Sequence, residues 1–383
     1  MANTLTGLIP ELYSNLDVVS RELVGMIPSV TLDPAASRAA MGQTVRNFVA
    51  PAATASDIVP GLTAPDQGDQ TIGSGTMSIS KARKVPIRWN GTEDLSLAAG
   101  FGGASIRAAQ IQQAFRTLAN EMEADLAALH VFASRAVGTA GTTPFGTAND
   151  YTPASLSRQI LVDNGSGESD LQLVMNTSAG ANIRGRQAAV DSAGTSSILR
   201  QGVLQDISGM TLRESAQIVT FTKGTGASAT TNAAGYAVGA TVITLAAIGT
   251  GTVLAGDVVT FAGDANQYMV SVGDADVSNG GTITLAAPGL RRAIAASAAA
   301  ITLVATAARN MAFRRSAIVL ATRLPALPTD GDSAVDRTTI TDPRSGLSFE
   351  VSMYAQYRQM YYEVAAVWGV KAVKSEHIAV LLG

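Results

Sequence analysis

The sequence predicts an α+β chain: a long amphipathic helix precedes a mixed body, and a small all-β module interrupts that body. Three observations point there. Ile111, Phe115, Leu118, Met122, Leu126 and Leu129 recur at spacings of four, three, four, four and three, which draws one apolar stripe along a helix. From Gln217 to Ala305 charge nearly vanishes, leaving Lys223, four aspartates and Arg291-Arg292, while β-branched residues alternate between turn residues. Finally, Leu347 to Ala355 and Met360 to Lys374 read as two strands of a closing sheet.

Pro10 to Met26 places Leu12, Leu16, Val19 and Leu23 at helical spacing, with Pro10 where a first turn tolerates it. Val45 to Pro51 then alternates as a strand, and Ala52 to Gly75 is an Ala/Thr/Ser/Gly/Pro/Asp stretch that reads as a long exposed loop. Thr76 to Trp89 alternates Met77, Ile79, Val85, Ile87 and Trp89 with polar partners, among them Lys81, Arg83, Lys84 and Arg88. Together these pieces predict a two-stranded finger, which is marginal alone and needs a surface to lie on. After the Gly-rich break Ala99 to Gly103, the long helix is expected from near Ser105 to near Gly138, about 50 Å at 1.5 Å per residue.

Gly138 to Thr152 is turn-rich, Ala154 to Asp163 is expected as a helix, Leu171 to Met175 as a buried strand, and Ser178 to Val190 as a further helix. Three near-copies of one strand follow: Val242 to Ala247, Thr282 to Ala287 and Ala300 to Ala305. With Asp257 to Phe261 and Tyr268 to Val272 between them, they predict a barrel or sandwich. Their uneven spacing excludes a solenoid, which keeps a fixed period. Ala317 to Ala321 reads as a buried strand and Pro328 to Arg344 as a polar loop.

Composition narrows the function. The 383 residues include 37 Gly and are only 15% charged, where soluble domains carry about 25%. A net charge of −3 lacks the electrostatic footprint of a nucleic-acid grip. The absence of Cys excludes a disulfide framework, thiolate catalysis and thiolate zinc sites. The first residues show no basic start before an apolar run, so no secretory signal peptide is expected. The longest uncharged apolar run, Ala293 to Ala308, is too short and too small-sided for a membrane span.

Chemistry-bearing patterns are sparse. His130 on the long helix reads as a helix-surface or packing residue and His377 as a terminal-loop residue. No glycine-rich phosphate loop opens a helix; Gly224-Thr225-Gly226 and Gly249-Thr250-Gly251 read as turns. Asp257, Asp264, Asp274 and Asp276 lack the Asp-x-Asp-x-Asp-Gly spacing of a calcium loop and read as solvated turn residues. Neither a catalytic residue nor a cofactor or metal site is expected. Lys81, Arg83, Lys84 and Arg88 have two readings: a charged edge strand protected from uncontrolled pairing, or candidate contacts with another subunit.

Certain segments carry a family likeness. Asn310-Met311-Ala312-Phe313-Arg314-Arg315-Ser316-Ala317-Ile318-Val319-Leu320-Ala321 is one, Gly346-Leu347-Ser348 with Tyr361 to Lys371 a second, and Gly256 to Gly263 a third. In their order, these parts resemble the major capsid (coat) proteins of tailed bacteriophages, with the Hong Kong ninety-seven (Johnson) fold. They are more narrowly similar to short-tailed Salmonella-phage-type coat proteins that carry an inserted β domain. The resemblance implies an N-terminal arm over 1–44, an extended finger over 45–95, and a spine helix of the peripheral domain over 96–137. It further implies axial and peripheral body over 138–216, the inserted all-β domain over 217–305, and the returning body and final sheet over 306–383.

It also implies a shell-forming protein without enzymatic activity. Its partners would be its own copies in hexameric and pentameric capsomers, a separate scaffolding protein, a portal, a decoration protein, and packaged DNA by weak non-specific contact, with no membrane. The shell would assemble in the host cytoplasm and end in the virion. Some relatives seal their shells by a Lys–Asn bond; Lys81 and Lys84 lie on the expected finger, with no Asn partner to name. Two competing classes are an exported surface-layer or adhesin-like β-rich binding protein, which should carry an export signal and fixed repeats, and an enzyme with a β lid.

Overall fold

The computed structural model describes residues 25–49, 55, 57–58, 60–62, 73–98, 103–147, 150–189, 206–342 and 345–383. The helix expected over Pro10 to Met26 and most of the loop expected over Ala52 to Gly75 lie outside these residues. The described chain begins with strand β1 (Thr31–Ala39), β2 (Thr44–Val49), β3 (Gly73–Ser78) and β4 (Lys81–Asn90). Helix α1 (Gly91–Ala98) and the long helix α2 (Gly103–Ala127) follow. Every member of the sequence stripe from Ile111 to Leu129 is buried, so the 3.6-residue period marks the face that α2 turns to the core.

The long helix ends sooner than its sequence suggests. Ala128–Phe132 tightens into a 3₁₀ turn, Ala133 is extended, and Arg135–Val137 forms β5. β5 pairs in parallel with the last strand, β19 (Ile378–Leu382), and antiparallel with a strand of the β module. Two sheet partners outcompete helix propensity there, since propensity is a weak prior that tertiary context overrides. Helices α3 (Thr152–Asp163) and α4 (Thr177–Ala189) flank the fully buried β6 (Leu171–Met175), close to their expected ranges. β7 (Met210–Glu214) pairs in parallel with β6.

The segment 217–305 contains β8 (Thr220–Phe221), β9 (Val242–Leu245), β10 (Val258–Phe261), β11 (Gln267–Val272), β12 (Gly281–Leu285) and β13 (Ile301–Leu303). Pairing runs β9-β12-β11-β10-β13, all antiparallel. Residues 229–232 bridge the two ends: Ile301 N donates to Ala229 O at 2.9 Å and Asn232 N to Thr244 O at 2.9 Å. The strands therefore form a closed circuit. In each near-copy the Ile and Leu turn inward, as Ile243, Leu245, Ile283, Leu285, Ile301 and Leu303, while the intervening Thr does not. That alternation is the strand period made visible. The circuit is stitched to the body, because β5 pairs with β11 as Tyr268↔Arg135 and Gln267↔Ala136.

The remaining strands are β14 (Ala307–Arg314), β15 (Ile318–Pro325), β16 (Ala334–Thr341), β17 (Ser348–Gln356) and β18 (Gln359–Ala372). β14 lies between β6 and β19 at the centre of the eleven-stranded sheet that also holds the circuit, and β19 in turn pairs with β5. His377 is thus not in a terminal loop: it is buried in a turn leading into a central strand. β1, β15, β18, β17 and β16 form a six-stranded sheet with β4, which pairs with β18. β16 corrects the loop expected over Pro328 to Arg344. Its side chains are mostly polar, as an exposed edge strand permits, yet its backbone pairs with β17 along its length. One main core joins α2 to both large sheets, with the Phe115 and Phe349 rings edge to face at 5.1 Å. Among the described residues no helix is long and apolar enough to cross a membrane.

Candidate assembly surface

The basic run expected on the second finger arm lies instead in the six-stranded sheet. β4 pairs with β18 from Asn90↔Gln359 to Lys81↔Trp368, whereas the finger proper is β2 with β3, from Thr44↔Ser78 to Val49↔Gly73. Three of the four cations meet carboxylates of their own chain. Lys81 Nζ is 3.1 Å from Glu121 Oε1 and 2.7 Å from Asp125 Oδ1, and Arg83 Nε donates to the same Glu121 oxygen at 2.9 Å. Lys84 Nζ is 2.9 Å from Glu363 Oε2 and 5.7 Å above the Tyr361 ring.

Burial pulls the Lys81 ammonium down, but hydrogen bonds to Asp125 and Glu121 outweigh it and hold the pKa above that of an ordinary lysine. Hydrogen bonds to Glu363 and Tyr361 raise the Lys84 ammonium's pKa as well, against its burial. Arg88 is exposed and has no ion-pair partner among the described residues. Glu121 and Asp125 stand four apart on α2 and so share a helix face, but no local pattern announces their partners across the sheet. The buried Trp368 indole donates to Asp125 Oδ2 at 2.8 Å and closes this seam.

Among the described residues no third strand joins the finger. Its root is well held: Met77 and Ile79 are buried against Val319, Ala321 and Val367. Ile79 N donates to Gln43 O and Gly42 N to Ile79 O, each at 2.9 Å, and Ser80 N donates to Trp368 O at 3.0 Å. Gly369 permits this approach, since a Cβ there would stand 2.4 Å from Ser78 O. The segment 50–72 that joins β2 to β3 carries Asp57, Asp66 and Asp69 with no Lys or Arg, and Ile58 and Leu62 on it are almost fully exposed.

The opposite charge gathers at the far end of the same sheet. A groove of about 660 Å³ is lined by Trp89, Arg107, Arg358, Met360 and Tyr362. Arg107 lies 6.0 Å from the Trp89 ring centroid. Arg358 adopts a left-handed φ of 56° in the tight turn between β17 and β18, beside the exposed Tyr357.

A buried carboxylate missed in the sequence ties the chain's N-terminal side to α2. Glu123 accepts from Met26 N at 2.9 Å, Ile27 N at 2.6 Å and Ser215 Oγ at 2.7 Å. Burial raises its pKa against those three bonds. The aspartates of the β module serve its turns: Asp257 accepts from Gly224 N and Leu254 N, Asp264 from Asn266 N and the Tyr268 hydroxyl, Asp274 from Asp276 N, and Asp276 from Ser278 N.

No protein-family model matches the chain, and no curated protein matches it. Among solved structures the chain is similar to phage capsid shells. The capsid of cyanophage P-SCSP1u matches at TM-score 0.48 and 10% identity, over 92% of this chain and 86% of that one. The mature capsid of bacteriophage PhiM1 matches at TM-score 0.45 and 9% identity, over 94% and 86%. A virus-like particle from Pyrococcus furiosus matches at TM-score 0.42 and 9% identity, over 97% and 98%. These are likenesses in the course of the chain, and function rests on the geometry above.

Proposed function

We propose that the chain is the major capsid protein of a tailed bacteriophage, a structural subunit that performs no reaction. Many copies associate as hexameric and pentameric capsomers into the icosahedral head around the genome. The finger carries this reading. Two strands with a firmly held root and, among the described residues, no third strand beside them are short of the partners a small sheet needs, and a neighbouring copy supplies that surface. Charge complementarity supports the match: the acidic segment 50–72 of one copy seats on the Arg107–Arg358 end of the next, with Arg88 beside it. Lys81, Arg83 and Lys84 act one step removed, tying β4 to α2 and β18 at the opposite end of the strand, beside the finger's root.

Scaffolding, portal and decoration proteins complete the proposed partners, and packaged DNA touches the wall weakly. Assembly takes place in the host cytoplasm and the product is the virion shell. Because the chain has no Cys, cross-linking tests the seating without background. Asp66→Cys and Arg358→Cys made in separate chains, mixed and oxidised, should give a disulfide-linked pair absent from either variant alone. A linkage formed only within one chain carrying both changes would overturn it.

A further inference from the structure

Along β14, Ala307, Arg309, Met311 and Phe313 share the face that enters the core beneath α2. Arg309 is the exception in that apolar row. It is 2% exposed, and its Nε, NH1 and NH2 have no hydrogen-bond partner among the described residues. Its guanidinium stacks 5.2 Å from the Phe221 ring centroid. Asp257 favours its charge from a distance, but the Asp257 oxygens are taken by Gly224 N and Leu254 N. A buried, charged guanidinium with five N–H donors is costly unless something accepts them.

A second unmet group lies beside it. His130 Nδ1 is 3.0 Å from Ala127 O, so Nδ1 carries the proton and Nε2 presents a lone pair; Nε2 is buried with no partner. Burial holds the ring's pKa down to about 4, so it is neutral at pH 7. The His130 and Phe221 rings meet edge-on at 5.3 Å. Arg309 and His130 line one groove of about 310 Å³, walled by Ala124, Ala127, Ala128 and Val219. Gly256 packs closely on both rings: a Cβ there would stand 3.0 Å from the Phe221 ring and 3.1 Å from His130 Nε2.

We propose that this groove binds a small phosphate that retains a free hydroxyl, its oxygens accepting from Arg309 and its hydroxyl donating to His130 Nε2. The donor set selects the ligand. Several anionic acceptors satisfy the guanidinium, and one O–H donor satisfies the imidazole. Inorganic phosphate at pH 7 has both, whereas sulfate and the phosphodiester of a nucleic acid lack the hydroxyl.

The test is thermal unfolding of the full chain in inorganic phosphate against sulfate at matched ionic strength, sulfate serving as the control for general salt stabilisation. Phosphate should raise the midpoint by about 2 °C or more over sulfate, by linkage to the folded state. Arg309→Met should abolish the difference. Ala124→Leu, which fills the groove and leaves Arg309 in place, should abolish it too, and serves if Arg309→Met fails to fold. Equal midpoints in the two salts, or a phosphate preference that survives both substitutions, would overturn the site. The outcome is independent of whether copies assemble.

Discussion

Glu123 is where a single residue decides most. It sits within the apolar stripe's helix, yet its carboxylate gathers two backbone N–H groups and a hydroxyl from segments far apart in the chain. Glu123→Ala leaves those donors buried and unmet, so stability at pH 7 should fall by about 3 kcal/mol, read from urea midpoints. The pH dependence follows from the raised pKa. The folded state holds the proton more tightly than the unfolded chain, so this group's contribution is full below the ordinary glutamate range and is lost as pH rises through the folded value. Wild type should therefore gain stability relative to Glu123→Gln on going from pH 7 to pH 4.5; a relative loss would show that the ionised form is the preferred one.

At the scale of elements, the finger and its root behave differently. Gly369→Ala sets a methyl against Ser78 O, and the resulting shift should cost about 2 kcal/mol, measured as a lowered urea midpoint with faster proteolysis near Ser80. If the segment seats on a neighbouring copy as proposed, replacing 50–72 by a short Gly/Ser turn should leave the midpoint within about 0.5 kcal/mol and abolish association. The helix stripe, the Ile-Thr-Leu strands and the final hairpin were legible because their apolar residues keep the period of the element that buries them. The end of α2 was not: nothing local in Arg135–Val137 announces that β11 and β19 compete for it. β16 was missed because its polar side chains mask a strand whose pairing is all backbone. The basic residues of β4 were legible as a group, but the carboxylates they would find across the sheet depend on a register no local pattern records.

For the whole molecule, the shortage of charge is uneven. The closed β circuit is nearly uncharged, while Lys81, Arg83 and Lys84 meet carboxylates where α2, β4 and β18 come together; the sequence of 50–72 is acidic, and Arg107 and Arg358 line the groove at the end of the six-stranded sheet. Surfaces poor in charge suit subunits covered by their neighbours, and opposite charges carried on different segments of one chain suit head-to-tail contacts that close rings. Sedimentation velocity of the full chain across a hundredfold range of concentration tests this most directly. The account predicts species many times heavier than the 39.2 kDa chain, growing with concentration and lost when 50–72 is replaced. A single 39.2 kDa species at every concentration would contradict it.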